Sequence, residues 1–464
     1  MLSLIGYLTV AAILTLLLTN RTAAVVALAG VPIVAALVAG FAPSEVGEFV
    51  GEGLGGVVGV TTMFVFAIVY FGLMKDAGMF DPIINRILRF AGSAPVTVCV
   101  GTTALAMAAH LDGAGATTFL ITIPAMLPLF ERLGMNRLVL TTCVGLGAGV
   151  MNLLPWGGPT ARAAVTADVP VNELWVPLIP AQGAGMVAAL AVAWFLGVRE
   201  RGRLASVGVD ESVAAVAGAS STGGGTKVRP HGGPSARPEP PAEHPAAPDG
   251  GSDLRRPRLL WFNLALTVVL IASLVAGLAA PEVLFLAAVV IALVVDYPGL
   301  KQQTARIEAH SKGAMLMATT LLAAGVFLGI LENSGMIEAI ATTAADALPD
   351  GAAPALPLIV GALGVPLSLV FGPDAYYFGV MPVLIGVGEQ FGVAGADIAR
   401  ASLLGEETVG FPISPLTGSF FLLVGLAGVD IGRHIRHLLG WAWLVSLVML
   451  AVALLTGAVP LWVR

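Results

Sequence analysis

The sequence predicts an all-α polytopic membrane protein of two inverted-topology repeats, each with about five transmembrane helices, a re-entrant hairpin and a broken helix. Three observations carry this. Hydrophobic residues fill 57% of the 464 positions and charged residues only 11%, too little charge to cover a soluble protein of this length. Apolar runs long enough for a hydrocarbon core of roughly 30 Å recur from end to end. The second half then repeats the polar interruptions of the first, in order, at an offset of about 260 residues.

The first repeat is expected over 1–197, with spans at 2–19, 22–41 and 56–74. The stretch Leu2–Thr19 lacks a basic leader and runs through Asn20 and Arg21 into more apolar sequence, so it reads as a span rather than a signal peptide. At about 92–130 two half-length apolar runs meet at His110-Leu111-Asp112-Gly113, which predicts a hairpin. A broken helix follows at about 138–168, interrupted by Pro155-Trp156-Gly157-Gly158-Pro159, and then a full span at 174–197. Residues 198–258 hold Gly-rich and Pro-rich stretches with charge of both signs and predict a disordered linker. The second repeat, 259–464, has spans at 259–280, 282–297 and 313–331. A hairpin at about 352–390, a broken helix at about 398–430 and a span at 438–460 complete it.

The duplication shows in three pairs. The stretch 71–80 aligns with 328–337, Asp112 with Asp374, and the Pro155 break with Ser414-Pro415-Leu416-Thr417-Gly418. Charge sets the topology, because short cytoplasmic loops are rich in Lys and Arg. Arg21, Lys75, Arg86, Arg89, Arg132, Arg137 and Arg199 fall on one side; Glu45, Glu48, Glu52, Asp168 and Glu173 fall on the other. In the second half Lys301, Arg306, Lys312, Arg433 and Arg436 are expected inside, and Glu332, Glu338, Asp346, Asp350, Glu389 and Asp397 outside. An odd number of spans per half forces inversion. Both termini are then extracellular and the linker cytoplasmic.

Irregular backbone at membrane depth is tolerated only where it is buried or lines a cavity. Two hairpin tips and two helix breaks meeting near the midplane offer free N–H groups to an anion and carboxylates to a cation, which predicts a secondary transporter. The chain has no phosphate-cradling loop, no basic domain for nucleic acid, and no nucleophile arrangement or multi-histidine site of an enzyme. Cys99 and Cys143 lie in apolar runs and read as packing residues.

Each candidate residue has a functional and a plain structural reading. His110 and Asp112 either ligate a divalent metal or relay a proton, or sit at a wet tip with His110 capping backbone. Asn152, Gly157, Gly158 and Thr160 flank the first break as substrate contacts, although the glycines also suit close packing. Arg162 suits a polycarboxylate, and equally suits snorkelling or a pair with Asp168. Asp374, Tyr376 and Tyr377 face a ligand, or the tyrosines belong to an interfacial belt. Ser414 and Thr417 line the second break. Glu406 and Glu407, read here as neighbours on a helix, suggest proton coupling, against an ion pair with Arg400 or Arg162.

The stretches 110–115, 152–162, 372–377 and 414–418 resemble the CitMHS family of divalent metal–citrate/proton symporters, within the ion transporter superfamily. The resemblance implies import of citrate complexed with Mg²⁺ or Ca²⁺ and coupled to protons, at a bacterial plasma membrane. It also implies a homodimer, an elevator-like motion and no permanently bound cofactor. Sodium–dicarboxylate relatives carry Ser-Asn-Thr motifs at their hairpin tips; this chain carries His110 and Asp112 at one tip and Asp374 at the other. That departure fits a ligand arriving with its own metal, with His110, Asp112 and Asp374 facing it. Another carboxylate, an inorganic anion or Na⁺/H⁺ antiport are the alternatives within the superfamily.

Overall fold

The structure, a computed structural model, describes residues 2–19, 21–92, 94–219, 254–345 and 353–462. All its regular elements are helical. The greater part of the expected linker, 220–253, and the topology markers Asp346 and Asp350 lie outside the described residues.

The first half contributes nine helices in order. They are α1 (Leu2–Leu18), α2 (Val26–Gly30, a π turn, continued by Val31–Ala39), α3 (Pro43–Asp76), α4 (Asp81–Ala91), α5 (Pro95–Ala109), α6 (Gly115–Arg132), α7 (Arg137–Met151), α8 (Gly158–Thr166) and α9 (Val171–Ala219). The second half contributes α10 (Leu260–Val275), α11 (Pro281–Asp296), α12 (Leu300–Asn333), α13 (Met336–Ala345) and α14 (Leu356–Leu367). The run α15 (373–390) is π-wound at Tyr376–Val380, and α16 (Gly395–Leu403), α17 (Gly418–Ala427) and α18 (Ile431–Leu455) close the chain. Five of these helices are long and apolar enough to cross a membrane, among the described residues: α3, α9, α10 with its leading turn, α12 and α18. The helices α5/α6 and α14/α15 fall in the two expected hairpins, and α7/α8 and α16/α17 in the two expected broken helices.

Packing repeats with the same period as the elements. The contacts α5 with α7, α5 with α9, α6 with α7, and α6 with α17 each recur when every helix is exchanged for the ninth one along: α14 with α16, α14 with α18, α15 with α16, and α15 with α8. The hairpin of one half therefore packs against the broken helix of the other.

Helices α3 and α12 pair along their length and begin well before the expected spans at 56 and 313. Glycine explains the closeness: a Cβ on Gly53 would collide with the Gly325 carbonyl, and one on Gly329 with the Phe49 carbonyl. Gly53→Ala is expected to lower the melting temperature of the purified protein in detergent, because overpacking costs about 1–3 kcal/mol. Gly55→Ala, whose Cβ meets open space, is the control and should leave it unchanged.

Two amphipathic helices, α4 and α13, were not anticipated as elements. Helix α4 has a legible signal: Arg86 and Arg89 share it with Ile84, Ile87 and Leu88, which pack inward. The acids Glu406 and Glu407 also need correction. They are not on a helix. Helix α16 stops at Leu403, and residues 404–410 form turns before the short Phe411–Ile413 helix. Gly405, Gly410 and Pro412 open the break about ten residues before the Ser414–Gly418 stretch.

Candidate functional site

The four irregular elements converge. The first hairpin tip lies on both breaks: Gly113 faces the Trp156 carbonyl, and Gly115 faces the Phe411 ring and Ser419 Oγ at 3.2 Å from its Cβ position. Trp156 Nε1–H donates to the Leu111 carbonyl at 2.8 Å, which holds that tip. The second tip reaches across to α8, where Arg162 Nε–H donates to Asp374 Oδ1 at 2.7 Å. Helices α8 and α17 both begin here, with first-turn N–H groups that lack intrahelical partners.

His110 is fully buried and bonded on both nitrogens. Asn152 Nδ2–H donates to the Glu407 carbonyl at 2.7 Å, so Asn152 Oδ1 is turned to His110 Nε2, 3.2 Å away, and that nitrogen carries a hydrogen. His110 Nδ1 is 2.8 Å from Thr118 Oγ1. The ring also stacks on Phe411, with centroids 5.6 Å apart. In this conformation both ring nitrogens meet protein partners, and His110 ties the hairpin to both breaks. His110→Leu would leave Asn152 Oδ1 without its donor, costing about 1–3 kcal/mol. The expected result is a lower melting temperature with an unchanged order of preference among divalent metals in uptake. A metal ligand would instead change that order.

Four further candidates are engaged with the protein itself. Tyr376 O–H meets Ser402 Oγ at 2.8 Å, and Tyr377 O–H donates to the Glu406 carbonyl at 2.9 Å; both rings are fully buried. Neither is an interfacial belt residue nor a free donor. Thr417 donates to the Phe411 and Ser414 carbonyls and braces the second break. Gly157 is required by the first break, since a Cβ there would strike the Asn152 carbonyl, and its N–H donates to Leu154.

What remains is a set of polar groups with unspent capacity. Thr160 Oγ1, Ser414 Oγ, Glu406 Oε1 and Glu407 Oε1 are buried and have no hydrogen-bond partner. Such orphans are uncommon in folded interiors and leave hydrogen-bonding capacity for water, a proton or a ligand. Glu406 is 0% and Glu407 1% exposed. Ser368 Oγ donates to Glu406 Oε2 at 3.1 Å and accepts the Glu407 N–H at 3.0 Å. Glu407 holds a left-handed backbone, φ 50°, which a non-glycine residue adopts at a cost of about 1–3 kcal/mol. Ser414 stands beside its carboxyl without closing a hydrogen bond, and Arg162 and Asp374 are its charged neighbours. Arg400 is committed to Asp397 at 2.9 Å, which removes it as a partner for the acid pair. Arg162 pairs with Asp374 and not with Asp168.

Asp112 Oδ1 accepts the Ala114 N–H at 2.9 Å and tightens the turn before α6, with Lys75 and Thr117 as its neighbours. Among the described residues no three His, Cys, Asp or Glu side chains converge on one metal point.

Sequence reasoning missed Ser368 and His434. Ser368 is a lone hydroxyl in the apolar Val365–Val370 run, and that isolation was its signal. His434, expected at a loop edge, is buried; its Nε2 bonds the Pro412 carbonyl at 2.9 Å and its Nδ1 meets Thr141 Oγ1 at 2.9 Å. It braces the second break from α18.

A family profile described as citrate transporter, CitMHS, matches residues 8–405. The chain belongs to the CitMHS family. A "Citrate transporter" of Bacillus subtilis (strain 168) is 42% identical over 99% of this chain and 100% of its own length. A "Mg(2+)/citrate complex secondary transporter" of the same organism is 39% identical, again over 99% and 100%. Among solved structures, the YdaH transporter of Alcanivorax borkumensis superposes with a TM-score of 0.59 at 16% identity, covering 91% of this chain and 89% of that one, a likeness of fold. This CitMHS chain is thus a multi-pass membrane protein of a transporter family rather than an enzyme.

Proposed function

We propose that the chain imports citrate as a complex with a divalent cation of Mg²⁺ or Ca²⁺ type, in symport with protons, at a bacterial plasma membrane. The observation that carries this reading is the junction of two hairpin tips and two breaks, where Thr160, Ser414 and Glu407 each keep a buried oxygen without a partner near the Arg162–Asp374 pair. A relative named for the Mg²⁺–citrate complex supports the choice of cargo.

Oxygen donors suit hard divalent ions. A cargo metal brings citrate oxygens as ligands, so a protein offering only one or two carboxylates suffices; Asp374 and Asp112 fill that role. Arg162, Thr160, Ser414, Gly158 at the start of α8 and the first turn of α17 take citrate carboxylates. Asn152 holds His110 and the Glu407 carbonyl so that these donors keep their places. Glu406 and Glu407 carry the proton.

The two-repeat packing supports an inverted repeat, and the charge pattern of the loops supports both termini outside with the linker 198–258 cytoplasmic. The pairing of α3 with α12 along their length suits a scaffold against which the hairpin-bearing unit moves, and a homodimer joined through the scaffold completes the elevator reading. Under this topology Asp112 by Lys75, and Asp374 beside Leu17, Leu18 and Thr22, lie at the cytoplasmic ends of α3 and α1. The conformation is then inward-facing, and a cavity of about 130 Å³ at Asp374 is its exit.

The test is uptake of radiolabelled citrate into proteoliposomes under an imposed pH gradient, with Mg²⁺, Ca²⁺, Ni²⁺ or Na⁺ added separately. Accumulation should need a divalent ion and collapse with the gradient. Uptake driven by Na⁺ alone would move the chain to another branch of the superfamily.

A further inference from the structure

We propose that the Arg162–Asp374 ion pair is the device that selects metal-bound over free citrate: Asp374 occupies Arg162 in the empty carrier and is exchanged for a citrate carboxylate only when a metal arrives to take Asp374. This deepens the reading above and rests on it.

The geometry is specific. Arg162 lies on α8, just after the first break, and Asp374 at the tip of the second hairpin, 212 residues away, so the pair joins the two repeats across the site. Arg162 is 11% exposed and Asp374 26%. Arg162 Nη1 also donates to the Gly158 carbonyl at 3.0 Å, which fixes the guanidinium against the start of its own helix. Other arginines near the membrane interior are spent elsewhere: Arg306 on Asp76 and Arg400 on Asp397. The cavity lined by Gly372, Asp374 and Leu416 reaches the carboxylate from one side while Arg162 holds it from the other.

A half-buried guanidinium left alone would carry an uncompensated charge. Asp374 is therefore a carboxylate of the protein standing where a carboxylate of the ligand will bind. Free citrate must displace it to reach Arg162. That leaves Asp374 without a cation and facing a trianion, and like charges at such range repel strongly. The metal complex brings the missing cation. Arg162 passes to a citrate carboxylate, Asp374 passes to the metal, and every charge has a partner before and after. Selectivity then comes from the repulsive arm as much as from the attractive one.

The test is equilibrium binding of radiolabelled citrate to the purified full-length protein, in excess Mg²⁺ or in EDTA. Wild type should bind at least about 30-fold more tightly with Mg²⁺, the ratio expected when one buried charge is left unpaired. Asp374→Asn should strengthen binding in EDTA, weaken it in Mg²⁺, and bring the two within about 3-fold. Asp374→Ser serves if the Asn variant melts early. The swap Arg162→Asp with Asp374→Arg should restore the melting temperature without restoring the preference. Variants at Asp374 that keep the wild-type ratio overturn the proposal, as does a swap that regains wild-type selectivity. A wild type with no preference for Mg²⁺ overturns the metal–citrate reading itself, and this inference with it.

Discussion

Glu407→Gln is expected to abolish accumulation of citrate driven by a proton gradient while preserving exchange of internal for external citrate. Exchange needs only the loaded carrier to cross, and Gln mimics the protonated, loaded form of the acid. Accumulation needs the empty carrier to return without its proton. The charge balance explains why. A citrate trianion with a divalent metal carries one net negative charge. Loading it while one acid of the buried pair takes a proton leaves the total charge of the moving unit unchanged between its two crossing states. Glu407 sits beside Arg162, Asp374 and Ser414, with one oxygen unpartnered, so it is placed to sense the cargo. Glu406 is held by Ser368 and lies one residue nearer the end of α16. A charge carried across the bilayer costs several kcal/mol. Net uptake should accordingly fall by about 100-fold or more, since about 1.4 kcal/mol is tenfold. The pH dependence checks the sign. Wild-type uptake should fall as external pH rises, because the loaded state needs a proton, and the Gln variant should show a flat profile in exchange. If Glu407→Gln still accumulates citrate and Glu406→Gln does not, the proton belongs to Glu406.

Arg162→Gln should raise the concentration of Mg²⁺–citrate needed for half-maximal uptake by about 100-fold, with the protein still folded. Truncating one partner of a buried, hydrogen-bonded charge pair costs about 2–5 kcal/mol. Here the cost falls on binding, because Arg162 is the strongest carboxylate donor at the junction. Gln keeps a donor near the Gly158 carbonyl side of the site but loses the planar fork, and Arg162→Lys should recover only part of the loss. Proteoliposome uptake at graded citrate, alongside melting curves, separates the two effects. A variant with unchanged half-saturation and a lowered melting temperature would make Arg162 a structural strut between the repeats.

The places where the chain breaks were legible because their cause is local. Pro155-Trp156-Gly157-Gly158-Pro159 is a strong helix breaker in any surroundings, and Gly113 turns the chain after His110-Leu111-Asp112 with a left-handed φ of 73°; the structure interrupts its helices at both. The second break was placed late because Ser414-Pro415 is the more obvious signal, whereas Gly405 and Gly410 already end α16 at Leu403. Helix α3 starts at Pro43, well before the expected span at 56, and its Gly53 acts as a contact point where Gly325 and Gly329 lie opposite. The candidate site was legible as a list of residues and not as a set of roles. His110, Tyr376, Tyr377 and Thr417 have the chemistry of ligand contacts, yet each spends it on its own protein.

The sequence by itself determined that this is an all-helical membrane protein of the citrate transporter family, since apolar runs and motifs depend only on residues near one another in the chain. Tertiary structure alone decided which polar groups are already satisfied and which are left open. Hydrogen bonds and ion pairs form or fail over a few tenths of an ångström between residues far apart in sequence, as with Arg162 and Asp374. In a desolvated interior that difference separates a brace such as His110 from open groups such as Glu407, Thr160 and Ser414.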